Sequence, residues 1–448
     1  MDLPIEFINK MKCLLGTDAD KFFDELEKPS VKGITVNFDR MNRSNFEKFC
    51  DFDHSPIEQI ENGFYVDNFK FATHILNHLG VIYSQEPSAM YPVEMLDIED
   101  NDIVLDVCAA PGGKSIQILE KLHNTGLLVS NEIVFNRSKV LYENLSRMGF
   151  KNFAITCNSP EDYQNTDLKF DKILVDAPCG GEGMLRKKDF DLNVYNPNAI
   201  ETNAKRQLSI LNSIKDLLKV GGRLVYSTCT YDTRENEEVV AEFLRANPEF
   251  KIIKYDRFDT IAKNGIKIDS FNTDYSFRRY PHLHQGEGQF MIALEKIGED
   301  DDNTTTKFRA KNFEELHKKE LLEINKFLEQ NTSLNKCQFV KRNDSVFLLP
   351  DTTINFENLN LIHIGCMIGT IQKNVFKPHH NFYHTCGQVF KNIIELSDNQ
   401  LQKFLHGEEL EILAPDGMYV VSFHNTALSG GKLKNNKLKN NYPKELRI

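Results

Sequence analysis

Two cysteines and one glycine-rich loop are the residues whose types and spacing could do chemistry in this chain. Cys179 closes the run Asp176-Ala177-Pro178-Cys179 and Cys229 closes Ser227-Thr228-Cys229, each after a short apolar stretch that reads as a strand. A free thiol is by default a small buried hydrophobe. Two at matching strand ends, one beside an aspartate and a proline turn, point instead to reaction. The thiolate is the reactive form, so its surroundings must lower its pKa. Added to C6 of a cytosine, a thiolate turns the ring into an enamine-like species whose C5 attacks a methyl group. Loss of the C5 proton then expels the thiol. Such an attack requires an unstacked base held in a pocket. Methylation of an exocyclic amine would instead call for an aromatic after the proline, where Cys179 stands.

The loop is Cys108-Ala109-Ala110-Pro111-Gly112-Gly113-Lys114, between an apolar run and an amphipathic one. Glycines between a strand and a helix let backbone approach a ligand and aim helix N–H groups at it. A phosphate-binding P-loop is excluded, because Cys108 occupies the position of its first glycine, and adjacent Gly112 and Gly113 break the GxGxxG pattern. Glu132 follows Gly112 by about 20 residues, where an acid binds a ribose diol in nucleoside-cofactor folds. Loop plus acid fits S-adenosylmethionine. The bland alternative is a tight turn with a surface glutamate.

The elements that must position these groups follow from periodicity. Ile103–Val107, Leu127–Ser130, Phe153–Thr156, Ile173–Val175 and Arg223–Ser227 read as buried strands. Helical patterns cover 114–122, 136–148 and 198–218. Such alternation predicts an α/β fold, a parallel sheet with helices on both faces, whose ligands bind outside the carboxyl ends of the strands. The 448 residues exceed one domain, and 40% hydrophobic and 27% charged residues exclude a disordered or fibrous chain. We expect an accessory RNA-binding α+β segment over 1–95, the catalytic domain over 96–297, an acidic linker and a helix (313–327) within 298–330, and a small, mostly β domain over 331–448. No 18-residue apolar stretch reads as a membrane span, and the start lacks a signal-peptide layout. Nine cysteines without a CxxC pair argue against a zinc ribbon or a disulfide framework. A cytoplasmic monomer that holds no metal is the expectation. The net charge of −11 speaks against uniform nucleic-acid coating, yet the last 22 residues carry six cations against one acid.

The motifs DVCAAPGGKS (106–115), NEI (131–133), LVDAPCGGEGMLRK (174–187) and GGRLVYSTCTYDTRENE (221–237) resemble the Sun family of RNA cytosine-C5 methyltransferases. PSVKGITVNF (29–38), VIYSQEPSAMYPVEML (81–96) and SGGKLKNNKLKNNYPKELR (429–447) extend the resemblance to the family's RsmF-like, bacterial small-subunit ribosomal RNA branch, with its C-terminal PUA-like domain. The resemblance implies a Rossmann-like, mostly parallel seven-stranded methyltransferase sheet. It implies that Cys229 is the nucleophile, that Cys179 helps release the methylated RNA, and that Asp176 lies between cofactor and base. It further implies that Cys108, Ala109, Ala110, Pro111, Gly112, Gly113, Lys114, Glu132 and Asp176 hold S-adenosylmethionine. Lys434, Lys437 and Lys439, with Arg186, Lys187 and Lys188 beside the active-site loop, are the expected RNA contacts. Two departures stand out. Gly180 occupies the family's usual serine position, and Cys157-Asn158-Ser159 offers no acid for the adenine. Competing readings are the same reaction on transfer RNA and a catalytically idle RNA-binding assembly factor. Intact cysteines and an intact glycine loop weigh against the second. An NAD-type oxidoreductase loses on the missing GxGxxG.

Overall fold

A computed structural model describes residues 3–67, 69–186, 199–299 and 307–447. Its centre is a ten-stranded mixed sheet. Five parallel strands form the middle: β1 (Ile103–Asp106), β2 (Leu127–Asn131), β3 (Phe153–Thr156), β4 (Phe170–Asp176) and β5 (Leu218–Thr228), in the order β3-β2-β1-β4-β5. These strands are apolar on both faces because both are covered. Leu105, Val129 and Ile173 point into one cluster, and Val104, Leu128 and Leu174 into the other. Helices α1 (Gly113–Lys121) and α2 (Phe135–Arg147) close the second cluster through Ile116 and Leu141. Helices α3 (Ala199–Ile214) and α4 (Glu237–Ala246) close the first through Ile210 and Phe243.

The sheet is wider than the seven strands expected. Strand Gln289–Lys296 pairs antiparallel with β5 and carries Phe250–Ile252 and Phe277–Arg279 on its far side. At the opposite edge Leu361–Ile364 pairs antiparallel with β3, so residues from beyond the acidic linker complete the same sheet. The helix expected over 313–327 begins later, at Lys318–Asn331, capped by His317 with Glu320. Phe313 lies before it and packs edge-on against Phe347 in the main core.

Residues before β1 form helices Ile5–Leu15 and Ala19–Leu26 and a four-stranded sheet. Phe7, Met11 and Phe22 of the two helices pack against Leu185 and Tyr231, which flank the two cysteines in sequence. The N-terminal sheet shares a core with the C-terminal segment, where Ile34 and Val36 cluster with Leu401 and Leu433. Among the described residues no helix is long and apolar enough to cross a membrane.

Candidate active site

Strand register brings the two thiols together. β4 and β5 are neighbours with Asp176 opposite Ser227, and the chain leaves both strands at the same edge. Cys179 and Cys229, a few residues beyond that pair, have their Sγ atoms 3.4 Å apart. The Cys179 thiol is held well above the usual cysteine value, first by its hydrogen bond to Cys229 and then by burial. The two thiols thus share one S–H···S hydrogen bond. The loop after Cys179 folds back, and the Gly183 N–H donates to the Cys229 carbonyl at 2.7 Å. A Cβ at Gly183 would lie 2.9 Å from that carbonyl oxygen, so the approach requires glycine.

Asp176 is fixed by three donors. Lys114 Nζ reaches Oδ2 at 2.7 Å, while Ser227 Oγ at 2.7 Å and Gln289 Nε2 at 3.1 Å reach Oδ1. Lys114 is pushed up: burial opposes its charge, but Asp176, with Cys229 and Asp106 adding, together outweigh that effect. Lys114 thus joins the glycine loop to the end of β4.

The glycine loop turns at Gly112, whose φ of 118° is a left-handed conformation that favours glycine. At the root of the loop Ser115 Oγ donates to Asp106 Oδ2 at 2.7 Å. Asp106 Oδ1 is buried without a partner, and burial pushes this carboxyl up to about 7. After β2, Glu132 is buried, accepting the Val134 N–H at 2.8 Å and lying 3.1 Å from Arg137 Nη1. Arg137 Nη2 also donates to the Ala110 carbonyl at 2.8 Å, tying acid to loop. Sequence reasoning missed Arg137, since its role appears only when the β2 and β1 ends stand side by side.

Two cavities meet at the thiols. The larger, of about 680 Å³, runs from Glu132, Ile133 and Pro160 past Cys108 to Cys179. The smaller, of about 260 Å³, is lined by Tyr83, Gln85, Lys114 and Gln289. Asp176, Cys229, Met184, Cys108 and Ala110 line both. Asn158, after β3, donates to Asp162 Oδ2 at 3.1 Å and accepts the Asn360 N–H at 2.9 Å.

The expected RNA contacts divide. Arg186 is a correction: its side chain is 1% exposed and donates to Glu287 Oε2 at 2.8 Å, to the Gly286 carbonyl at 2.8 Å and to the Glu25 carbonyl at 3.2 Å. A guanidinium committed to a buried carboxylate is not presented to a phosphate backbone. Lys187 and Lys188 lie outside the described residues. Lys432, Lys434, Lys437 and Lys439 are exposed on a hairpin that turns through Asn435 and Asn436, while Leu433 and Leu438 point inward.

Comparison with known proteins gives three family matches. The model for 16S rRNA methyltransferase RsmB/F matches residues 93–295, that for the N-terminal domain of 16S rRNA methyltransferase RsmF matches 3–87, and that for the methyltransferase RsmF PUA domain matches 391–448. The chain is 30% identical over 466 residues to ribosomal RNA small subunit methyltransferase F of Shewanella piezotolerans, covering 98% of this chain and 96% of that one. The Shewanella loihica protein of the same name is also 30% identical, over 95% of this chain and 91% of that one. The crystal structure of a methyltransferase homologue from Pyrococcus horikoshii aligns with a TM-score of 0.59 and 26% identity, covering 66% of this chain and 96% of that one.

Proposed function

Because this chain belongs to the RsmB/F family of 16S rRNA methyltransferases, we propose that it methylates C5 of a cytosine in small-subunit ribosomal RNA through a covalent Cys229–C6 adduct. The observation that carries the reading is the pair of thiols 3.4 Å apart where two cavities meet.

The residues lining the larger cavity, together with Asp106 at the glycine-loop end of the smaller one, fit S-adenosylmethionine. Asp106 Oδ1, buried and unpartnered at the foot of the glycine loop, suits the amino group of a methionine moiety. Glu132, tied to Arg137, suits a ribose diol, and Ile133 supplies an apolar wall. When bound there, the cofactor supplies an electrophilic methyl group. The part of the smaller cavity lined by Gln289 and Cys229 then takes the flipped base, with Asp176 lining both cavities.

The Cys229 thiolate adds to C6, forming the S–C6 bond and moving the C5=C6 electrons onto C5, which takes the methyl group. Asp176, oriented by its three donors, accepts hydrogen bonds from the ring's polar edge. Bonding of the Cys229 sulfur to carbon ends the thiol–thiol hydrogen bond, which is the first cause raising Cys179. Cys179 then loses its proton to solvent and takes the proton from C5. The C5–H electrons restore the C5=C6 bond, and the Cys229 thiolate leaves. Lys434, Lys437 and Lys439 supply sequence-independent phosphate contacts.

Bisulfite sequencing of ribosomal RNA from cells lacking the protein should reveal an unmodified cytosine. Purified Cys229→Ala should bind cofactor and transfer no methyl group, and turnover by this variant would overturn the assignment. Cys179→Ala should leave a protein–RNA adduct visible on a denaturing gel.

A further inference from the structure

The turn that carries Cys179 is gripped from both sides by one buried pair of side chains. Glu235, which is fully buried, accepts the Gly180 N–H at 3.1 Å on Oε2 and 3.3 Å on Oε1. It also accepts from Gln207 Nε2 at 2.8 Å. The same Gln207 amide donates to the Pro178 carbonyl at 3.0 Å. The residues before and after Cys179 are thus both tied to one carboxylate, one directly and one through the amide. Neither holder is free to drift: Gln207 is buried on α3, and the Tyr226 hydroxyl on β5 donates to the Glu235 carbonyl at 2.6 Å. Gly180 belongs to the same device. A Cβ there would lie 3.0 Å from Glu235 Oε1, tighter than carbon and oxygen ordinarily approach, so glycine lets the carboxylate close on the amide.

We propose that Glu235, acting with Gln207, is the positioning residue that aims the Cys179 thiol at the C5 proton of the methylated adduct, and so controls release of the RNA rather than attack on it. The inference rests on the division of labour proposed for Cys229 and Cys179. Glu235 touches the Cys179 turn, while the Cys229 backbone is held separately by Gly183. The carboxyl is pushed up to about 7, chiefly by burial, with Asp232 and Glu182 adding to the effect. Lys10 pairs with both of those acids. The Cys179 thiol and the Tyr226 hydroxyl also face it, and both are raised in part by its charge. Protonation of Glu235 replaces an acceptor of two N–H groups with a group that is itself a donor, which loosens the turn.

The test separates attack from release. Glu235→Gln places an amide N–H against the Gly180 or Gln207 donors. In single-turnover assays with a small-subunit ribosomal RNA fragment and S-adenosylmethionine, methyl transfer should proceed at close to the normal rate. Release of the adduct, followed on denaturing gels, should slow about ten- to a hundredfold, the scale of one charge-assisted hydrogen bond. The ratio of release to transfer in the unaltered protein should fall as pH drops through 7, and Glu235→Gln should lose that inflection. Gln207→Met removes the arm to Pro178 and one donor to Glu235 but leaves the Gly180 bond, and should slow release in the same direction by less. It decides the question if Glu235→Gln fails to bind cofactor. Normal release with an unchanged pH profile in both variants overturns the proposal, provided Cys179→Ala accumulates adduct and Cys229→Ala is inactive. If those two controls fail, the underlying reading of the cysteines fails instead.

Discussion

Glu120 sits near the end of α1 with its side chain turned into the join between the N-terminal sheet and the catalytic domain. Its Oε2 accepts from Thr35 Oγ1 at 2.7 Å and from Asn62 Nδ2, while Oε1 is buried without a partner. Burial pushes this carboxyl up to about 8 from an ordinary 4.5, against the hydrogen bond from Thr35 and the charge of Lys121, and Asp39 adds to the rise. The sign follows from proton counting. Between about pH 4.5 and 8 the folded protein holds a proton on Glu120 that the unfolded chain has lost, so stability falls as pH rises through this window. The slope is about 1.4 kcal/mol per pH unit, hence about 3 kcal/mol between pH 5.5 and 7.5. Glu120→Gln mimics the protonated side chain: its carbonyl still accepts from Thr35, and its amide replaces the carboxyl O–H. The variant should match the parent near pH 5 and become progressively more stable than it up to pH 8. Other titrating groups contribute to both proteins and cancel in the difference. Urea unfolding of both at pH 5.5, 6.5 and 7.5 measures the effect. Parallel stability curves, or a variant less stable at pH 7.5, would refute the reasoning.

Three further outcomes are expected. Glu132→Ala should raise the S-adenosylmethionine dissociation constant by about ten- to a hundredfold, since it removes the acid and frees Arg137 from its carboxylate; calorimetric titration reads this, and unchanged affinity would mean that the acid faces elsewhere. Lys10→Met should cost about 2 kcal/mol, because it strips the counter-ion from Glu182, which is 2% exposed and also receives the Thr230 hydroxyl and the Tyr231 N–H. Its thermal midpoint should fall. Replacing Lys434, Lys437 and Lys439 together by glutamine should weaken RNA binding and reduce the salt slope by about two to three units while leaving cofactor affinity unchanged. An unchanged slope would mean a merely solvated hairpin.

What the sequence discloses depends on how local the cause is. The strand at 153–156 appears as read, and α1 and α2 fall within a residue of their expected bounds, because apolar periodicity is a short-range signal. β5 begins five residues earlier than the apolar run suggests. Gly221 and Gly222 look like a break, but the strand runs through them from Leu218, with a register shift against β4 between Phe170 and Lys172. The edge strand Leu361–Ile364 was illegible, since nothing local says that a short apolar run will pair with β3 some 200 residues away. Arg186 shows the same limit in the site. Three consecutive cations look like a phosphate contact until Glu287, 101 residues downstream, arrives beside the first of them. The glycine loop, Glu132, Asp176 and both cysteines were legible because they end strands, and strand ends converge by topology.

Chemically identical thiols acquire different tasks only through what surrounds them, and here the surroundings act in sequence rather than at once. In the free protein the two sulfurs share one hydrogen bond, which is the first cause raising the Cys179 thiol. On the proposed chemistry, attack converts Cys229 to a thioether and ends that sharing. The base for the second step thus becomes available only after the first is complete. Two thiolates 3.4 Å apart in this half-buried site would be an arrangement that like-charge repulsion opposes. On that proposed chemistry the order of the two steps would follow from strand register, which sets the distance, and from the proposed Glu235–Gln207 grip on the turn that carries the second sulfur.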